Sequence, residues 1–247
     1  GDGFFKHLEQ LLPWFMGKLD NSAYPSQQRL GMAMLDDVVE MAGANSQGYL
    51  PTFLPPMLKH AVSTDDELRQ AALYGIGLCA EHGGAAFQPY MSDAVIKLSH
   101  VTNEPDSRSD DKESATDNAV ASLGKIAQFQ KPDTSQEIWN MWLAYLPLKG
   151  DIAEGVSVTK QLCNLVRSNE PMVLGASNSN LPRIMSIFAQ VLETEGVDEE
   201  GTQLIREIVT EAQARAPAQL EAACRGMPED QVQRLQRVLA PVPQPQV

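Results

Sequence analysis

Apolar residues recur along the whole chain with the spacing of one face of an α-helix, and few segments show the alternation typical of strands. The stretch that follows STDDELRQ is a clear example. Ser63 or Thr64 can cap a helix there, the acidic residues that follow suit its positive end, and Gly83-Gly84 can end it. Its apolar stripe consists of Leu68, Ala71, Ala72, Gly75, Ile76, Cys79 and Ala80. The pattern predicts an all-α protein.

The same stripe returns at regular intervals. A copy 47 residues further on contains Ala115, Asn118, Ala119, Ser122, Leu123, Ile126 and Ala127, with Gly124 in the place of Gly77. An earlier copy contains Leu30, Gly31, Met34, Leu35, Val38 and Val39, with Gly43 as its end, and later copies contain Leu162, Leu165, Val166 and Ile205, Ile208, Val209. Between these stripes, the sequence predicts a second set of helices within residues 4–19, 50–62, 88–101, 135–148, 180–192 and 228–240.

Two helices per repeat, at spacings of about 39 to 47 residues, are typical of the HEAT and armadillo class. We therefore predict an α-solenoid, a right-handed superhelix of about five to six antiparallel helix pairs, because one such unit cannot bury its apolar face alone. A single repeat domain is expected over residues 1–240, with a mobile loop at 102–114 and a disordered proline-rich tail at 241–247. The small residues of the stripes are expected to let neighbouring helices approach closely; they are Ala72, Gly75, Gly77, Ala119, Ser122 and Gly124.

One glycine pattern also fits a different interpretation. Gly75, Gly77 and Ala80 match the G-x-G-x-x-G/A spacing of a dinucleotide-binding turn, and Asp93 lies where such folds place a ribose-binding acid. That turn needs a strand before the glycines, whereas the predicted helix begins about ten residues before Gly75 and runs through them. The sequence therefore favours glycines at helix contacts, with Asp93 as a polar residue of the next helix.

Charge narrows the range of partners. The chain has 32 acidic and 19 basic residues, a net charge of −13, which repels nucleic acid and favours basic partners. No apolar run is long enough for a membrane span, and the start lacks an initiator Met and a basic signal segment, so a fragment of a longer protein is expected.

Residues with the spacing of a catalytic or metal site are scarce. The chain has no G-x-S-x-G elbow and no phosphate-binding loop, and its histidines form no metal-ligand pattern. Without a C-x-x-C pair, the cysteines are expected to be free thiols of an intracellular protein; they are Cys79, Cys163 and Cys224. We predict no catalysis, no cofactor and no metal.

Protein recognition is the remaining hypothesis. Trp139, Trp142 and Tyr145 lie on the predicted helix near 136–147 and are candidate contacts, because aromatic residues are enriched in binding hot spots. Asp93 and Glu137 could add negative charge. The alternative is that Trp139 and Trp142 share a face with Leu146 in the core between repeats, and that the two acidic residues are only solvated.

Longer segments carry a family resemblance. ELRQAALYGIGLCAEHGG, ATDNAVASLGKIAQF, WLAYLPLKGDIAEG and CNLVRSNEPMVLGASNSNLPRI follow one another in this order, and LDDVVE precedes them. In this order they resemble the carboxy-terminal HEAT repeats of karyopherin-beta nuclear transport receptors of the importin beta-3, or Ran-binding protein five, class. The resemblance runs from about residue 4 to about residue 240.

The resemblance implies a function that periodicity alone does not. Family members are importins that carry basic cargo such as histones and ribosomal proteins into the nucleus and release it when RanGTP binds. It implies a monomer that shuttles between cytoplasm and nucleus, with RanGTP and nucleoporins as partners of the full-length receptor. The principal Ran-binding repeats of the family lie outside this segment, so no binding residue is carried over. A HEAT-repeat scaffold subunit of another multiprotein complex, for example one like a phosphatase scaffold, is the alternative.

Overall fold

A computed structural model describes residues 2–19, 24–131 and 135–240, and within these ranges the chain forms helices and turns without a strand. It divides into two compact units, Gly1–Ile138 and Trp139–Val247. The predicted tail at 241–247 lies outside the described residues. The prediction of a single repeat domain over residues 1–240 stays a prediction.

The first unit is built from helices that alternate between the two predicted sets. Within it α4 packs against α2, α3 and α6, and α5 packs against α6. Its 3₁₀ turns are Gly43–Tyr49, Gly84–Ala86 and Gln88–Tyr90. The helices are α1 (Asp2–Lys18), α2 (Pro25–Ala42), α3 (Leu50–His60), α4 (Asp66–His82), α5 (Met91–Thr102) and α6 (Glu113–Phe129).

Helix α4 begins at a different cap from the predicted one. The side chain of Asp65, and not that of Ser63 or Thr64, accepts a hydrogen bond from the Leu68 N–H at 3.0 Å. Ser63 instead accepts from the Asp65 N–H at 3.1 Å. Arg29 of α2 reinforces this cap, because its guanidinium lies 2.7 Å from the Asp65 carboxylate and adds a charge-assisted bond there. The predicted end is confirmed, since Gly83 follows the last helical residue.

The repeated stripes are the cores of α2, α4 and α6. Every stripe residue of α6 is buried, as are those of α4 except Ala71. In the α2 copy Gly31, Leu35, Val38 and Val39 are buried, whereas Leu30 is exposed and Met34 is half-buried. The stripe periodicity is therefore confirmed where another helix packs on it.

The glycines of α4 mark the closest helix approaches. A Cβ at Gly77 would lie 3.2 Å from the Ser122 backbone Cα of α6 and would collide with the Ser122 hydroxyl, which donates to the Leu73 carbonyl at 2.7 Å. A Cβ at Gly75 would lie 2.7 Å from Met57 Cε. At these two positions the neighbouring side chains leave no room for a Cβ, and the packing role of the whole set of small residues stays a prediction. The dinucleotide interpretation is wrong, because both glycines lie inside a helix and are covered by its neighbours.

The segment between α5 and α6 is a series of turns held by ion pairs. Lys112 lies 2.9 Å from carboxylates of both Glu104 and Asp106, and Arg108 lies 2.7 Å from Asp117, whose side chain is fully buried in α6. Mobility of residues 102–114 stays a prediction.

The second unit continues the alternation and adds two helices that the sequence did not predict, α9 and α12. Within it α8 packs against α11, and α10 packs against α12 and α13. The Ala176–Asn178 segment forms a 3₁₀ turn. The helices are α7 (Gln136–Tyr145), which crosses the unit boundary, α8 (Ile152–Arg167), α9 (Pro171–Leu174), α10 (Leu181–Val191), α11 (Glu199–Arg215), α12 (Pro217–Cys224) and α13 (Glu229–Leu239).

An ion-pair arrangement recurs in both units. Arg29 of α2 contacts the N-cap Asp65 and the nearby Glu67 of α4, at 2.7 and 2.8 Å. Lys160 of α8 likewise contacts the N-cap Asp198 and the nearby Glu200 of α11, both at 2.6 Å. Each cationic side chain thus reaches the first turn of the helix against which its own helix packs. The carboxylates at that turn also interact favourably with the helix dipole.

Candidate protein-binding surface

The two predicted tryptophan contacts lie in the core. Trp139 and Trp142 are both 0% exposed, and their rings meet edge to face with centroids 5.9 Å apart. Leu146 is buried as well. The face that carries these residues is buried, as the core alternative predicted. Neither indole is available to a partner in this structure, so both leave the set of candidate surface contacts.

The other three predicted contacts reach solvent. Asp93 is exposed on α5 and lies 3.8 Å from Lys97, one turn later. Glu137 is exposed in the first turn of α7, and Tyr145 is half-buried at the end of that helix. Binding through these three residues stays a prediction.

A different set of side chains forms a continuous surface across three helices of the first unit. The Tyr74 hydroxyl of α4 donates to the Glu40 carboxylate of α2 at 3.4 Å. The Lys125 ammonium of α6 lies 5.1 Å from the centroid of the Tyr74 ring and 3.9 Å from the Glu81 carboxylate. We call Glu40, Tyr74, Glu81 and Lys125 the α2–α4–α6 surface.

Helix packing places these four residues together. Helix α4 packs against both α2 and α6, so side chains at the edges of these two contacts lie close together. Glu40 is exposed, and the other three are half-buried. Asp37 and Met41, which are also exposed, lie on the side of α2 that faces α1 and do not belong to this surface.

The chemistry of this surface fits a cationic guest. Two carboxylates, those of Glu40 and Glu81, lie beside Tyr74 and Lys125, and the Tyr74 ring already holds the Lys125 ammonium over its face. A lysine or arginine of a partner could replace Lys125 at the ring or bind between the carboxylates. Sequence reasoning missed these residues, although each lies beside a stripe position that it identified.

The described residues hold neither a cluster of three or more metal-binding side chains nor a helix long and apolar enough to cross a membrane. The cysteines are all free thiols. Burial raises the pKa of the Cys163 thiol to about 12 and raises that of Cys79 further. Both thiols are therefore in their unreactive neutral form near pH 7.

Comparison with known proteins identifies relatives over most of the chain. An importin-5 homolog of Dictyostelium discoideum is 28% identical over 185 residues, which are 70% of this chain and 17% of the relative. Importin-4 of Homo sapiens is 24% identical over 97% of this chain and 21% of the relative. Importin subunit beta-3 of Saccharomyces cerevisiae is 26% identical over 82% of this chain and 18% of the relative. The chain thus spans about a fifth of the length of these relatives, and no family model matches it.

Solved structures show the same fold. The karyopherin Kap121p bound to the SUMO protease Ulp1p matches with a TM-score of 0.75 and 21% identity, over 96% of this chain and 21% of that one. Kap121p bound to RanGTP matches with a TM-score of 0.71 and 19% identity, over the same shares. These matches confirm the predicted all-α HEAT-repeat solenoid. Together with the relatives, they confirm that the chain resembles karyopherins of the importin beta-3 class over most of its length.

Proposed function

We propose that this chain is a non-catalytic, protein-binding segment of a nuclear import receptor. The natural protein carries basic protein cargo through the nuclear pore, shuttles between cytoplasm and nucleus as a monomer, and releases its cargo when RanGTP binds. In this proposal the segment forms the carboxy-terminal arch of the receptor, and RanGTP and nucleoporins act on the full-length protein.

One observation carries the proposal: importins of three organisms match this chain along most of its length. Importin-4 of Homo sapiens alone covers 97% of it. Structures with this fold include Kap121p bound to RanGTP, to Nup53p and to Ste12p. These partners belong to Kap121p and suggest what to test here. The proposal of a basic cargo draws its support from the charge of this chain, −13.

The α2–α4–α6 surface is where we expect this segment to contact a basic partner. Its carboxylates come from two helices that are held together by a buried contact, so their spacing is set before a partner arrives. A prepositioned surface loses less conformational entropy on binding than a mobile one. Exposed carboxylates also attract a cationic partner over distance, chiefly by raising the association rate at low salt.

A charge-reversal experiment tests this assignment. The variant Glu40→Lys/Glu81→Lys is compared with Glu195→Lys/Glu199→Lys, which makes the same charge change on exposed residues of the α10–α11 connection and of the first turn of α11. Binding of a purified histone H3–H4 pair to the full chain is measured by biolayer interferometry at low and at moderate salt. We expect the first variant to lose affinity at least tenfold and the second to stay within about threefold of the parent chain.

Each outcome has a different consequence for the proposed site or for the proposed function. Equal losses in both variants would mean that net charge alone drives binding, and would remove the α2–α4–α6 surface as the site. No binding by the parent chain would count against cargo contact by this segment. Isolation of the natural protein as a fixed subunit of a stable multi-subunit enzyme would favour the scaffold alternative over transport.

A further inference from the structure

The contact between α2 and α4 contains a buried acid without a partner. The Asp36 side chain of α2 is 5% exposed, and its Oδ1 atom makes no hydrogen bond. A carboxylate removed from water in this way is costly, because neither a cation nor a donor replaces the lost hydration. The charge of Asp36 is therefore expected to destabilise the contact between α2 and α4, which an apolar residue at this position would not do.

The surroundings of Asp36 exclude water without offering a positive charge. From α4, Gly75 and Cys79 face the carboxyl, and from α3 the Met57 side chain approaches the same point. The charges that act on the Asp36 carboxyl are those of Asp37 and Glu40 on its own helix. On α4, the titratable group that interacts with Asp36 is the Cys79 thiol. Burial first, and these two carboxylates second, raise the pKa of Asp36 well above its ordinary range.

Gly75 makes the arrangement sterically possible. Any Cβ at this position would collide with Asp36 Oδ1 and would lie 2.7 Å from Met57 Cε. The carboxyl thus occupies the space that the missing side chain leaves, in the middle of the helix contact. Its charge state changes the energy of the contact directly, since no solvent layer separates it from α4.

We propose that the Asp36–Gly75 contact is a proton-controlled joint between α2 and α4, which stays closed while the carboxyl carries its proton and opens when the carboxyl ionises. In the open joint, water reaches the carboxylate and Asp36 regains the pKa of an exposed aspartate. The stabilising effect of the neutral carboxyl is fully present below that ordinary pKa. It is lost as the pH rises towards the raised value of the closed joint.

Hydrogen exchange on the full chain tests the proposal. Amide exchange in α2 and α4 is measured by mass spectrometry from about pH 4 to about pH 9, and each rate is divided by that of Asp36→Asn at the same pH, which removes the intrinsic pH dependence. Asparagine has nearly the shape of the acid and cannot ionise. We expect the ratio to be near one at the acid end, to rise by up to tenfold per pH unit, and to level off above the raised pKa.

Two further variants keep the test decisive. Asp37→Asn removes an exposed carboxyl of the same helix and should keep the rise, whereas Asp36→Ala should abolish it even if asparagine disturbs the contact. A ratio that stays flat for the parent chain, or a rise that persists in Asp36→Ala, would overturn the proposal and leave Asp36 a purely structural residue. Neither outcome bears on the proposed transport function, on which this inference does not depend.

Discussion

Replacement of Gly77 by alanine tests whether the repeats are held together through small residues. The new Cβ would lie 3.2 Å from the Ser122 Cα and would collide with the Ser122 hydroxyl, so either the helices separate or the hydroxyl leaves the Leu73 carbonyl. Overpacking of a tight contact costs about 1–3 kcal/mol. Alanine regains up to about 1 kcal/mol of helix propensity over glycine. We therefore expect a net destabilisation of about 1–2 kcal/mol.

Gly17 provides the matched control. It lies in α1, and a Cβ there would meet no atom within 4 Å, so Gly17→Ala changes helix propensity without a collision. This control should be neutral or stabilise the chain by up to about 1 kcal/mol. Urea unfolding followed by circular dichroism measures both variants, and each kcal/mol corresponds to a shift of roughly 2–4 °C in a thermal scan of a chain of this size.

A double-mutant cycle isolates the contact. Ser122→Ala alone should cost about 1 kcal/mol for the lost hydrogen bond. Because it also removes the atom that collides with the new Cβ, Gly77→Ala/Ser122→Ala should be less destabilised than the sum of the single changes, by at least about 0.5 kcal/mol. If Gly77→Ala is as stable as Gly17→Ala, or if the two changes simply add, the close-approach explanation is refuted.

Three further predictions follow from buried and charged groups. Trp142→Ala should destabilise the chain by about 3–5 kcal/mol in urea unfolding, because the indole is fully buried, and a loss below about 1 kcal/mol would contradict its place in the core. Lys160 lowers the pKa of Asp198, so the stability that this carboxylate contributes is present above its ordinary pKa and lost as the pH falls through the lower folded value. In Lys160→Met, the free energy of unfolding should therefore fall less steeply as the pH is lowered into the acid range. A pH dependence identical to that of the parent chain would count against the Lys160–Asp198 ion pair. In native chain at pH 8, iodoacetamide should modify Cys224 before Cys163, since Cys224 is half-buried and Cys163 is buried; peptide mass spectrometry reports the order, and the reverse order would be inconsistent with the fold.

Periodicity was sufficient to predict the fold class, because the apolar stripes through which helices pack appear in the sequence as apolar residues at helical spacing. Leu68, Ala72 and Ile76 lie one turn apart and are all buried. The exceptions have physical causes. Leu30 belongs to a stripe copy but is 54% exposed, and α12 was missed because it is short and lacks a marked apolar face.

Residues that depend on the register between helices could not be predicted. Asp65 caps α4 in place of the predicted Ser63 or Thr64, and its bond to Arg29 joins residues that are 36 positions apart in the sequence. The α2–α4–α6 surface likewise depends on how Tyr74 aligns with Glu40 and Lys125, which no single segment encodes. The tryptophans were ambiguous for the same reason, since a helical face shows which residues point together and does not show whether that direction is solvent or core.

The most direct test of the account is a release experiment on the natural protein, with whatever chain precedes and follows these residues. The protein is immobilised, loaded with purified core histones as basic cargo, and challenged with Ran bound to a non-hydrolysable GTP analogue or to GDP. The proposal predicts that the GTP form releases the cargo and that the GDP form leaves it bound. Equal retention under both conditions, or no retention of basic cargo at all, would contradict the assignment to nuclear import.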